Sequence, residues 1–150
     1  MIVDTSVIIA MFNREPEAAA FAMLIAEAPI ARISAGTYVE LAVVIDRSHD
    51  AVPSSALDPF LIESGIQIEA LTASQARIAR TAYQQFGRGS GHPARLNMGD
   101  CFSYALAREF DEPLLFKGND FSQTDIEIVT EPIKRHRLSE VLAAYEARVS

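Results

Sequence analysis

Apolar residues along this chain follow two alternating rhythms, short runs suited to strands and longer stretches repeating every third or fourth position. Ile2 and Val3 begin a strand, and residues 6–13 read as a short helix stopped by Asn13, Arg14, Glu15 and Pro16. Pro16 suits the first turn of the helix that follows. That helix, over 17–28, is rich in alanine and sets Phe21, Leu24, Ile25 and Ala28 on one face. Residues 31–34 form a brief strand. Ser34 then caps a helix over 35–47 whose Val39, Leu41, Ala42, Val43, Val44 and Ile45 are apolar nearly all round, which predicts burial on most sides.

Pro53 opens another helix through Leu57, Phe60, Leu61 and Ile62, ended by Gly65. Ile66, Ile68 and Ala70 alternate with Gln67 and Glu69 as a strand. Thr72 followed by Gln75 is a capping-box start for a helix to Phe86. Residues 87–93, with Gly87, Gly89, Ser90, Gly91 and Pro93, predict a flexible loop. Asn97 precedes a helix over 98–110, and 113–116 is a wholly apolar strand of the kind found inside a parallel sheet. A last strand is expected over 126–130, then the basic patch Lys134, Arg135, His136, Arg137 and a terminal helix over 139–148. Strands alternating with helices predict an α/β fold, a central and mostly parallel sheet with helices on both faces. In such folds the site lies beyond the carboxyl ends of the strands.

At 150 residues the chain reads as one domain over 1–150, long enough to bury roughly 70% of the surface it exposes when unfolded. Hydrophobic residues at 49% and charged residues at 22% are ordinary globular usage, against disorder. One cysteine, Cys101, excludes an internal disulfide framework and a cysteine-cluster zinc site, favouring a reducing compartment. No signal peptide is visible, and the apolar stretch 18–26 falls short of the ~20 residues of a membrane span. The expectation is a soluble, cytoplasmic protein with no membrane partner. A net charge of −7 argues against a broad basic face for nucleic acid. It does not exclude a nuclease, because part of an acidic surplus can be a carboxylate cluster whose field a bound divalent cation reverses.

Four acids stand out against apolar surroundings. Asp4 sits between Ile2-Val3 and Val7-Ile8-Ile9, where a carboxylate must be hydrogen-bonded, paired or bound to a cation. It is either an N-cap or a catalytic carboxylate. Glu40 lies among Tyr38, Val39, Leu41, Ala42 and Val43, with pairing to Arg47 or another buried arginine as the alternative. Asp100 opens the helix after the glycine loop, where the helix dipole alone would favour it. Asp120 lies in the Gly118-Asn119-Asp120-Phe121 turn and could be an ordinary turn residue. If the four converge with few histidines nearby, oxygen ligands of this kind suit Mg²⁺ or Mn²⁺. Positive groups available to hold a polyanion are Arg14, Arg88, Arg95 and Lys117. His92 reads as a loop histidine, His49 and His136 as exposed, and Cys101 as a small core side chain. The face built from Met11, Phe12, Phe21 and Met23 reads as core before it reads as a groove or dimer surface.

The segments Met1-Ile2-Val3-Asp4-Thr5-Ser6, Ser34-Ala35-Gly36-Thr37-Tyr38-Val39-Glu40-Leu41, Leu96-Asn97-Met98-Gly99-Asp100-Cys101-Phe102-Ser103-Tyr104-Ala105 and Lys117-Gly118-Asn119-Asp120-Phe121 together resemble a PIN-domain ribonuclease of the VapC type, the toxin of a toxin–antitoxin pair. The resemblance implies a PIN-like three-layer fold and Mg²⁺-dependent hydrolysis of RNA phosphodiesters, leaving 5′-phosphate and 3′-hydroxyl ends. It makes Asp4, Glu40, Asp100 and Asp120 the acidic, metal-binding cluster, with Ser6 and Asn97 as polar support. Arg88, Arg95 and Lys117 would contact RNA phosphates. It also implies a homodimer neutralised by a VapB-type antitoxin that places an arginine among the carboxylates. The chain departs from the pattern near its end, where many relatives read Thr-x-Asp-x-Asp-Phe and this one has Phe116, Gly118 and Asp120. Two rivals accompany this reading. One is a phosphatase with an aspartyl nucleophile at Asp4, which would usually need a second aspartate at position 6, where this chain has Ser6. The other is a catalytically inactive interaction module on the same fold.

Overall fold

The computed structural model describes residues 1–48 and 54–129. Its centre is a four-stranded parallel sheet in the order β3-β2-β1-β4, formed by β1 (Ile2–Val3), β2 (Ala31–Ser34), β3 (Ile66–Glu69) and β4 (Leu114–Leu115). Ile2 lies opposite both Arg32 and Leu114, and Ala31 to Ser34 run in register with Ile66 to Glu69. The helices are α1 (Thr5–Phe12), α2 (Ala18–Glu27), α3 (Ala35–Arg47), α4 (Leu57–Glu63), α5 (Ala73–Phe86) and α6 (Met98–Phe110).

Successive residues of a strand point to opposite faces, and the two halves of the core divide accordingly. Val3, Ala31, Ile33 and Leu115 pack with Val7, Phe21, Leu41 and Leu61, so α1 to α4 cover one face. Ile2 and Leu114 pack with Ala82, Phe86, Tyr104 and Leu106, so α5 and α6 cover the other. The result is the three-layer arrangement that the sequence predicts. Met11 and Phe12 pack against the first of these cores and Phe21 is buried in it, the ordinary-core alternative for that face.

Several expectations need correction. Helix α3 is not buried on most sides: Thr37, Leu41 and Ile45 are buried, whereas Val39, Val43 and Val44 are exposed. One side of the helix faces the sheet, and an apolar residue elsewhere on it is simply surface, as much of any protein surface is. The stretch 87–93 is tied to its neighbours at several points. Arg88 N donates to Leu96 O, Leu96 N to Phe86 O, His92 N to Ser90 Oγ and Ala94 N to His92 Nδ1, while the His92 ring stands edge-on to Phe86 with centroids 4.8 Å apart. Thr72 caps α5 through Gln75 N, but the buried Gln75 side chain donates to Glu109 on α6 instead of closing the box. The strand expected over 126–130 is, within the described residues, a single parallel bridge between Leu114 and Ile128. Pro53, His49, Thr130, the basic patch at 134–137 and the helix expected over 139–148 lie outside the described residues.

Candidate active site

Three helices start at the same edge of the sheet, and each begins with a polar cap. Asp4 directly follows β1, and its Oδ2 accepts from the Ser6 backbone N–H at 3.1 Å, so it caps α1. Ser34, the last residue of β2, caps α3 through Gly36 N. Asn97 caps α6 in a reciprocal box: its Oδ1 accepts from Asp100 N at 2.8 Å, and Asp100 Oδ2 accepts from Asn97 N at 2.8 Å. The capping reading for Asp4 and the first-turn reading for Asp100 therefore hold, and they do not compete with a chemical role. They bring the carboxylates to helix N-termini, whose positive dipole ends favour anions.

The acids are electrostatic neighbours. Burial pushes the Asp100 carboxyl up to about 7; the hydrogen bond from Asn97 N works against this, and the charges of Asp4, Asp120 and Glu40 add to it. Glu40 is raised first by burial, then by the charge of Asp4, while the Thr5 hydroxyl beside it lowers it. That hydroxyl is buried and makes no hydrogen bond of regular geometry. Glu40 reaches this position because Gly99 leaves room: a Cβ at Gly99 would lie 1.2 Å from Glu40 Oε2. Gly36 does the same for the other side of the crossing, where a Cβ would lie 2.7 Å from the Phe102 ring. Among the described residues no arginine pairs with Glu40; Arg32, the cation on β2, pairs with Glu69 and Glu112. Asp120 is exposed at the start of a 3₁₀ turn, Phe121–Gln123, and its charge reaches Asp100.

Asp4 is the most firmly held of the group. Besides the Ser6 backbone, its Oδ2 accepts from Ser6 Oγ at 2.8 Å, and Oδ1 accepts from Ser103 Oγ at 2.7 Å. Ser6 Oγ in turn accepts from the Lys117 backbone N–H at 2.9 Å, tying the end of β4 to the start of α1. Ser103, Thr5 and Gly99 were not singled out by sequence, because buried small residues are unremarkable in composition; the signal available was Ser103 standing one turn from Asp100.

Among the described residues no lysine, arginine or histidine pairs with Asp4, Glu40, Asp100 or Asp120. Nor do three of the acids close into a ready-made ion cage. Mg²⁺ does not require one, since it keeps several waters and is commonly held by one or two carboxylates. The donor chemistry fits such an ion: oxygen ligands, and burial that, with the neighbouring charges adding to it, holds Asp100 partly protonated near neutral pH. Arg88 and Arg95 are exposed and carry no ion pair among the described residues, Arg95 with φ of 50°. The Lys117 ammonium is already engaged by Glu15 and Glu17, the latter at 3.2 Å, so its backbone is better placed for the site than its charge.

The PIN-domain family profile matches residues 1–127. The chain is 54% identical over 127 residues to ribonuclease VapC28 of Mycobacterium tuberculosis, covering 85% of this chain and 96% of the relative. Among solved structures it is similar to VapC20 of Mycobacterium tuberculosis, described as a sarcin-ricin loop cleaving toxin, with a TM-score of 0.66 at 20% identity over 85% of this chain and 97% of that one. It is similar also to a toxin–antitoxin complex from Klebsiella pneumoniae, with a TM-score of 0.63 at 20% identity, covering 88% and 98%. These two likenesses concern the fold.

Proposed function

The chain belongs to the PIN-domain family, among its VapC ribonucleases, and from that premise we propose that it is a metal-dependent endoribonuclease toxin working through Asp4, Glu40, Asp100 and Asp120. The observation that carries this reading is the meeting of carboxylates from four separate segments at the carboxyl edge of the sheet, where burial first, and then the charges of Asp4, Asp120 and Glu40, push the Asp100 carboxyl up to about 7. Carboxylates packed this way repel one another, and a divalent cation removes the repulsion. When bound, Mg²⁺ or Mn²⁺ supplies a water of lowered pKa and offsets the charge that builds on the phosphoryl group.

The chain's own residues do the rest. Asp4, fixed by Ser6 and Ser103, is the rigid ligand, and Asp100, held by Asn97, is the second. Glu40 and Asp120 complete the negative field on either side, Glu40 from the floor between α3 and α6 and Asp120 from the solvent edge. Arg88 and Arg95, exposed at the surface, offer cations for RNA phosphates. The neutralising partner is a VapB-type antitoxin, whose arginine would satisfy the same carboxylates through charge-assisted hydrogen bonds. The active unit is a homodimer in the cytoplasm. Among the described residues no helix is long and apolar enough to cross a membrane.

The phosphatase reading fits less well, because both oxygens of Asp4 are tied to donors while position 6, where the second aspartate would stand, is one of those donors. Asp4→Asn and Asp100→Asn test the proposal directly. At position 4 asparagine caps a helix as well as aspartate does, and at position 100 its amide oxygen can still accept from Asn97 N, so both variants are expected to fold as the wild type by far-UV circular dichroism. Cleavage of total RNA in Mg²⁺ should fall by a factor on the order of 100–1,000, as it should for the wild type in excess EDTA. Wild-type cleavage by either variant, or cleavage indifferent to EDTA, refutes the assignment.

A further inference from the structure

One turn away from an acid, on each of two crossing helices, stands a fully buried hydroxyl. Thr37 precedes Glu40 by three residues on α3, and Ser103 follows Asp100 by three on α6, spacings that share a helix face. The side chains are 1% and 0% exposed. Their oxygens are 3.2 Å apart, and Ser103 Oγ donates to Asp4 Oδ1 at 2.7 Å. A serine hydroxyl has one proton. Ser103 gives it to Asp4, so Thr37 is the donor to Ser103 and the chain runs from Thr37 through Ser103 to Asp4.

The direction matters for Asp4. Its Oδ2 already accepts two hydrogen bonds, from Ser6 N and Ser6 Oγ, which uses both lone pairs of that oxygen. Oδ1 accepts from Ser103 and keeps one lone pair. We propose that Thr37 and Ser103 are positioning residues of the active site: their hydroxyl chain fixes the Asp4 carboxylate so that it offers a divalent ion a single lone pair of Oδ1, and keeps the Glu40 and Asp100 helices in register around it. The proposal rests on the acidic-site reading given above. Packing alone does not call for these hydroxyls. The neighbours of Ser103 along α6 at Ala105 and Leu106 are apolar and fully buried, and a hydrogen-bonded pair replaced on both sides by apolar groups of similar shape costs little stability.

The test compares Mn²⁺ affinity, by titration calorimetry on the full chain, with melting temperature and RNA-cleavage kinetics. Thr37→Val keeps the shape and removes the hydroxyl, Thr37→Ser keeps the hydroxyl and loses a methyl group, and Ser103→Ala removes the middle of the chain. Ser103→Ala is expected to bind Mn²⁺ about 10-fold or more weakly, the usual effect of losing a group that orients a ligand. Thr37→Val should weaken it in the same direction by less, and Thr37→Ser should match the wild type. At subsaturating Mn²⁺ kcat should fall with affinity while KM for RNA holds. Melting temperature should rank the Thr37 pair the other way, since Thr37→Ser leaves a methyl-sized void. Affinities of Ser103→Ala and Thr37→Val equal to wild type, or affinities that simply track melting temperature across the set, overturn the proposal alone. A wild type that binds no Mn²⁺ overturns the acidic-site reading, and this proposal with it.

Discussion

A methyl group added at Gly99 would meet the Glu40 carboxylate and no other atom so closely, which separates what this residue does for the fold from what it does for the site. Alanine is the better helix former, and the group in its way is the far end of a flexible side chain that can swing aside. Gly99→Ala is therefore expected to melt at or slightly above the wild-type temperature. Glu40, however, would leave its place beside Asp100, and misplacement of about 1 Å costs on the order of 100-fold in rate. Calorimetric melting and a fluorogenic RNA assay on the same preparation check both halves. Loss of stability together with activity would mean that Gly99 serves the helix crossing instead. Lys117 shows the same separation in another form. Its ammonium is engaged by Glu15 and Glu17 on the surface, while its backbone N–H holds Ser6 Oγ.

Two helices of the second layer begin with a side-chain cap, and only one of the caps touches the site. Thr72 accepts from Gln75 N at the start of α5, and Asn97 accepts from Asp100 N at the start of α6. Replacing either by alanine should cost about 1 kcal/mol in urea unfolding. Thr72→Ala should leave RNA cleavage unchanged, whereas Asn97→Ala frees Asp100 and should reduce it; equal activity of the two would detach the cap from the chemistry. Caps of this kind are legible in the sequence, since Ser34, Thr72 and Asn97 are polar residues directly before a 3.6-residue rhythm, and β3 is legible from the alternation of Ile66 and Ile68 with Gln67 and Glu69. The burial of α3 is not legible, because hydropathy reports what a side chain tolerates, and the sheet supplies only one face for the helix to cover. The order in the 87–93 stretch was not legible either, because it depends on His92 Nδ1 accepting from Ala94 N and on pairing with Leu96, which composition does not encode. Asp4, Glu40 and Asp100 were recognisable as charges in apolar surroundings. The Thr37–Ser103–Asp4 chain was not, because it joins residues 66 and 99 positions apart that only the parallel sheet brings together.

For the molecule as a whole, the acidic edge is a source of instability in the absence of a cation. A carboxyl raised to about 7 in the folded chain and near 3.9 when unfolded binds a proton on folding between those values. Stability therefore rises as pH falls through that window and is lowest where Asp100 is fully ionised, above about 7. Glu40, also raised, acts in the same direction. In EDTA the urea midpoint should increase from pH 8 to pH 6. Asp100→Asn should raise the midpoint at pH 8 and flatten the slope; a wild-type midpoint that falls over this range contradicts the assigned shift.

Strand β1 lies between β2 and β4, with Ile2 and Val3 paired to Leu114 and Leu115. During translation the segment carrying Asp4 thus emerges long before the strand that completes its pairing, and before the helix that carries Asp100 and Ser103. A half-made chain owns some of the acids and none of the blade. The acidic edge is therefore completed late in synthesis, all at once, which gives an inhibitor time to be waiting.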